Sequence, residues 1–155
     1  MQLDAQKGDL TVIQEGYELA TRHLVMEKDL NYFGNLFGGA MLAWLDEASA
    51  AYLMDKIGYA NFVTLKLEDV FFKAPAKRGD ALAIYCKILN TGRSSISIRT
   101  RAWVHIPVSG AKREIIDCKI TFVCLQEGKP YAYFRSPEYS SWLARTGQSP
   151  VISGD

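Results

Sequence analysis

"GAMLAWLDEASAAYLMDKIG", residues 39–58, is the stretch on which the fold turns. Its Ala, Leu and Met content favours a helix, and Gly58 supplies a stop. Apolar residues on nearly every side predict a helix wrapped by other structure rather than one lying on a surface. One residue is out of place. Asp46 stands among Leu42, Trp44, Leu45, Ala50 and Leu53, where a carboxylate is costly unless it has partners or a task.

Outward from this helix the pattern changes period. Upstream, "YELATRHLVM" (17–26) reads as a first strand, joined to the helix by a loop punctuated with Asn, Asp and Gly, "EKDLNYFGNLFGG" (27–39). Downstream the chain is β-rich. "NFVTLKLEDVFF" (61–72) is followed by the turn-like "KAPAKRGD" (73–80), then by the alternating "ALAIYCKILN" (81–90). After "TGR", the strand at 94–106 sets Ile96, Ile98, Ala102 and Val104 on one face and Ser95, Ser97, Arg99, Arg101 and Trp103 on the other. "REIIDCKITFVCLQ" (113–126) repeats the alternation with Ile116, Cys118, Ile120, Phe122 and Cys124. "EGKP" turns the chain into a short strand, "YAYF" (131–134), and "SPEYSSWLART" (136–146) carries a serine cap before proline, the start of a short helix. A strand, one long apolar helix and then several strands imply an α+β fold, with an antiparallel sheet curling around one central helix. Short connections predict that the later strands are antiparallel neighbours. An exposed edge or face of such a sheet invites dimerisation.

Composition narrows the function. At 155 residues the chain has the size of one domain, and no repeat or linker divides it. The segment to about Gly16 and the tail after Gln148 are polar and small, and read as loosely held around a domain at 17–147. With 18 basic against 17 acidic residues the net charge is +1, which argues against nucleic acid or a membrane surface as partner. No apolar leader opens the sequence and no apolar run reaches membrane-spanning length, so the cytoplasm is the expected compartment. Cys86, Cys118 and Cys124 lie in apolar alternating segments without a paired spacing and read as reduced core residues. His23 and His105 lack metal-ligand spacing, so no metal is expected.

The pattern Asn31-x-x-Gly34-x-x-Phe37-Gly38-Gly39 followed by Asp46-Glu47-Ala48, with "VTLKLEDVFFKAPAKRGD" (63–80) and "TGRSSISI" (91–98), resembles the hotdog-fold acyl-CoA thioesterases. The likeness is nearest to the cytosolic short- to medium-chain acyl-CoA hydrolases and the hydroxyphenylacetyl-CoA thioesterases, and it spans about 17–134. It implies a hotdog fold, hydrolysis of an acyl-CoA thioester, active sites at a subunit interface, and a homodimer or a dimer-based tetramer or hexamer. No cofactor is implied beyond the CoA of the substrate. It places the catalytic asparagine at Asn31 and nucleotide contacts near 91–95. Phe37 stands where many relatives carry histidine, a departure that bears on subclass more than on the reaction.

The residues support a chemistry of their own. Gly38 and Gly39 at the start of the helix leave backbone N–H groups open at its positive end, as an oxyanion hole requires, or they merely allow a tight turn. Gly38 and Asp46 are separated by 46 − 38 = 8 residues, about 12 Å along one helix. One carbonyl therefore cannot touch both within a chain, and a shared site requires the helix start of one subunit to face the aspartate of its partner. Asn31 is either an amide donor to that carbonyl or a loop residue bonding its own backbone. Asn35 reads as a turn residue, Glu47 as a salt-bridge or interface residue, and Ser49 as a partner that orients Asp46. Asp46 serves as general base on water or as nucleophile. Arg93, Ser94 and Ser95 in "TGRSS" suit a phosphate or form a plain hairpin. Lys73, with Lys77 and Arg78, makes a second cationic cluster or a solvated turn. Phe33, Phe37 and Trp44 either wall an acyl pocket or belong to the core. Three other readings remain: a dehydratase, which lacks a histidine near Asp46; a non-catalytic acyl-CoA sensor; and a structural homodimer, which leaves Asp46 unexplained.

Overall fold

The computed structural model describes residues 15–151. Strand β1 (Glu18–Leu24) leads through a loop to helix α1 (Gly38–Ile57), followed by β2 (Phe62–Phe72), β3 (Ala81–Thr91), β4 (Ser95–His105), β5 (Lys112–Gln126), the two-residue β6 (Lys129–Pro130) and helix α2 (Pro137–Thr146). The sheet runs β1-β3-β4-β5-β2 with every pairing antiparallel, and β6 adds to β5. This is the α+β hotdog arrangement expected from the sequence.

The alternation places the core as read. Ile96, Ile98, Ala102 and Val104 of β4 and Ile116, Cys118, Ile120, Phe122 and Cys124 of β5 are buried against α1. Burial pushes the thiol pKa of Cys86 and Cys124 up to about 11 and that of Cys118 up to about 12, so these sulfurs are inert core groups. Gly58 ends α1 in the left-handed conformation at φ 62°, where Trp142 of α2 packs so closely that an added Cβ would lie 2.1 Å from its Nε1. Ser136 caps α2 through its side chain and Pro137 opens it, as the sequence indicated.

Several expectations are corrected. β3, β4 and β5 are neighbours, but β2 pairs with β5 and forms the far edge. Residues 73–80 instead cross the end of the sheet, bound through Lys73 N to Ile115 O at 2.8 Å, Leu36 N to Ala76 O at 2.7 Å and Gly79 N to Val25 O at 2.9 Å. "YAYF" is not a strand. Tyr133 begins a 3-10 turn because its ring stacks on Tyr59 at 4.2 Å and its hydroxyl donates to Ile57 O, the end of α1, at 2.6 Å. α1 is covered on one face only: Met41, Leu45, Ala48, Ser49, Leu53 and Ile57 are buried, while Gly39, Ala43, Glu47 and Ala51 form an exposed stripe. The exposed positions include small apolar residues that look buried in a sequence but cost little in water. Val151, expected in a loose tail, donates its N–H to the Tyr139 hydroxyl at 3.0 Å. The rest of the two terminal segments read as loosely held, residues 1–14 and 152–155, lies outside the described residues. No described helix is long and apolar enough to cross a membrane.

Candidate active site

Asp46 projects from the middle of α1 toward the edge strand β2, half-buried rather than deep in the core. Thr64 Oγ1 donates to its Oδ1 at 2.7 Å. Thr64 faces the helix because it pairs with Phe122, whose side chain is in the core. Ser49 does not orient the carboxylate. Three residues further on, it is fully buried toward the sheet and shares a hydrogen bond of 2.6 Å with Thr100. Glu47 is exposed and makes no ion pair among the described residues.

At the start of α1, Phe37 is the N-cap but provides no side-chain bond. Its own N–H donates to Asp29 O at 2.8 Å, which fixes the angle at which the chain enters the helix. The first helical N–H groups, on Gly38 and Gly39, are therefore uncapped and lie at the positive end of a helix 20 residues long. The absence of Cβ atoms has a local reason as well: one on Gly38 would lie 3.3 Å from the Phe72 ring, and one on Gly39 would lie 3.4 Å from the Phe37 ring.

The structure shows Asn31 in the second role raised for it, bonding the backbone of its own loop. Its Oδ1 accepts from Phe33 N at 3.0 Å and Asn35 N at 3.1 Å, and its backbone N–H donates to Asn35 O at 2.7 Å. The two backbone donors can face only the oxygen end of the amide, so the Asn31 NH₂ is the end left to donate elsewhere. The loop holds Asn31, and Asn31 holds the loop.

The remaining candidates separate. Arg93, Ser94 and Ser95 form the β3–β4 hairpin, tied to β5 by Cys124 N bonding Ser94 O at 2.7 Å. The same end of β5 holds Tyr59 and Asn61 just beyond α1, so within one chain this hairpin lies at the C-terminal end of α1, away from Gly38. Lys73 is committed to carboxylates, with its ammonium 3.2 Å from Glu114 and 3.8 Å from Asp117. Phe37 and Phe33 are exposed at 57% and 80%, whereas Trp44 stacks on His23 of β1 at 4.6 Å and is a packing residue. No cluster among the described residues could hold a metal ion.

Fold and site together define a hotdog protein with hydrogen-bond donors at a helix start and a carboxylate about 12 Å further along the same helix. The thioesterase superfamily matches residues 33–108. The chain is 30% identical over 119 residues to the acyl-CoA thioester hydrolase YciA of Escherichia coli, covering 74% of this chain and 89% of that one. To an uncharacterised acyl-CoA thioester hydrolase of Haemophilus influenzae it is 34% identical over 110 residues, covering 69% and 71%. Among solved structures, a hexameric thioesterase from Yersinia pestis superposes with a TM-score of 0.69 at 31% identity, covering 74% of this chain and 93% of that one. The chain belongs to the acyl-CoA thioesterases of the hotdog fold.

Proposed function

We propose that the protein hydrolyses acyl-CoA at sites shared between two copies of the chain. Asp46 of one copy is the general base on a water. Asn31 and the N–H groups of Gly38 and Gly39 of the other copy hold the thioester carbonyl as it becomes an oxyanion. The observation that carries this reading is the uncapped glycine start of α1, which has open donors, a favourable dipole and no side chain in the way. Thr64 occupies Asp46 Oδ1 and leaves Oδ2 for the water. The acid leaves as carboxylate and CoA as thiol, with no metal or other cofactor invoked.

The edge strand supports the pairing. Val63, Leu65 and Phe71 of β2 are exposed at 48%, 60% and 61%, an apolar edge that another strand would cover. Two copies meeting along β2 bring the two Asp46 faces toward the dyad and set the helices antiparallel. Hexamers of the kind named for the Yersinia pestis structure would be built from such dimers. In this arrangement the hairpin of Arg93, Ser94 and Ser95 belongs to the copy that supplies Asp46. The end of α1 lies 57 − 46 = 11 residues beyond that carboxylate, about 17 Å, a span suited to the pantetheine arm between sulfur and diphosphate. The hairpin then receives the phosphates. Release of free thiol from acyl-CoA tests the reading. The protein turns substrate over, and Asp46→Asn abolishes turnover while the oligomer stays folded; near-normal turnover by that variant overturns it.

A further inference from the structure

The loop that carries Asn31 has little to hold it in place. Tyr32 and Phe33 are exposed, and Leu36 is its one buried apolar anchor. Among the described residues, the loop's backbone bond to a distant part of the chain runs from Leu36 N to Ala76 O at 2.7 Å, where Asn35 and Lys77 face each other as an isolated antiparallel bridge. Asn35 is in turn bonded both ways to Asn31, its N–H donating to Oδ1 at 3.1 Å and its carbonyl accepting from Asn31 N at 2.7 Å. The position of Asn31 therefore depends on the backbone at Ala76 and Lys77.

That backbone is fixed by a carboxylate. Lys77, Arg78, Gly79 and Asp80 form a turn closed by Asp80 N bonding Lys77 O at 3.0 Å, with Gly79 at φ 86° in the third position, where a positive φ favours glycine. Asp80 closes the turn a second time, because its Oδ2 accepts from Lys77 N at 2.8 Å. The guanidinium of Arg113 on β5 lies 3.5 Å from the same oxygen and donates to Pro75 O at 2.9 Å, so it holds both ends of the segment around the buried Ala76. Arg78 adds only an exposed pair to Glu27 at 3.0 Å.

We infer that Asp80, braced by Arg113, is a positioning residue for Asn31, acting through the backbone of residues 76–77 and 35–36. The inference rests on the acyl-CoA thioesterase reading, in which the Asn31 amide holds the thioester carbonyl, and adds to it a carboxylate that touches no substrate. An amide that must meet a developing oxyanion acts only from a fixed place. Asp80 supplies that fixity from a turn 49 residues further along the chain (80 − 31).

Thiol release is measured on a panel of straight-chain acyl-CoAs, and the substrate turned over fastest is used to compare the full protein with Asp80→Ala, Asp80→Asn and Arg113→Met, each alone and combined with Asn31→Ala. A group misplaced by about 1 Å can cost roughly a hundredfold in rate; Asp80 acts at one remove, so Asp80→Ala lowers kcat about tenfold with KM unchanged. Asp80→Asn keeps an acceptor for Lys77 N and recovers most of the rate. Arg113→Met, the milder change, lowers kcat about threefold and carries the test if Asp80→Ala fails to fold. In the Asn31→Ala background each of these losses shrinks to less than about twofold, because the group being positioned is gone. Lost stability alone would scale the rate by the same factor in both backgrounds. Equal losses in the two backgrounds, a change confined to KM, or an unmoved kcat overturns the role of Asp80 while hydrolysis still stands. An unaltered protein that releases thiol from none of the panel overturns the thioesterase reading, and the positioning role falls with it.

Discussion

Asp46 has one side-chain partner in the described chain, and the reading of its role turns on that bond. Thr64→Val removes the donor at 2.7 Å while keeping the side-chain shape. A hydrogen bond to a charged group is worth about 1.5–3 kcal/mol, and Thr64 is exposed in the single protomer. The lower bound is therefore appropriate, and kcat should fall about tenfold with little change in KM. Thr64→Ser restores the donor and most of the rate, which a purely structural role would not predict. Gly58→Ala strikes a different residue. The left-handed φ of 62° and the Trp142 ring leave no room for a Cβ, so stability falls by about 1–3 kcal/mol. That is several degrees of Tm by calorimetry at roughly 2–4 °C per kcal/mol, with catalysis at low temperature unaffected. Asp46, Asn31, Gly38 and Gly39 could be proposed from the sequence because their chemistry and spacing are local to one loop and one helix. Thr64 was not. It lies 18 residues beyond Asp46 on a strand, and nothing local ties a threonine to a carboxylate on another element. Ser49 illustrates the converse: three residues along a helix is close to Asp46 in sequence, yet its hydroxyl faces the sheet and Thr100.

At the scale of elements, β2 shows where period-two reading fails. Its two irregularities, between Thr64 and Lys66 and between Glu68 and Phe71, each reverse the alternation, so Thr64, Leu67 and Phe72 share the helix side. β4 can be read by alternation almost to its end because its ladder to β3 shifts only between Ile88 and Asn90 and its ladder to β5 only between Ala102 and Trp103. On the outer face of the sheet, charged side chains form a ladder. Arg101 grips Glu114 at 2.8 and 3.0 Å, Arg99 grips the buried Asp117, and Tyr17 lies over Arg101 at 5.3 Å. Burial alone would raise the Glu114 pKa, but the bonds from Arg101 and Lys73 outweigh it and hold the carboxyl below its ordinary 4.5. The pKa is depressed in the folded state, so the stabilisation is present above that ordinary value and is lost as pH falls through the folded one. Tm should drop steeply below about pH 4.5, and Glu114→Gln should flatten that slope while lowering stability at neutral pH. An unchanged acid slope in the variant would remove Glu114 from the account.

For the whole molecule, the protomer is unfinished in a consistent way. Its apolar edge strand and uncapped helix start face outward, Asp46 lies half-buried behind that strand, and about 12 Å of helix would keep one chain from bringing both halves of the proposed site to one carbonyl. The number of copies beyond two is not written in a local pattern, because it depends on surfaces that alternation and motif spacing do not describe. The pairing itself has a direct test. Asp46→Asn and Asn31→Ala are each prepared as nearly inactive proteins, then mixed in equal amounts under conditions that exchange subunits, and thiol release is measured. A mixed dimer keeps one intact site, formed by the Asn31 of one copy and the Asp46 of the other, so random exchange should restore about a quarter of the unaltered activity. A mixture that remains as inactive as its components, despite demonstrated exchange, would place both residues in a site within one chain and contradict the shared site.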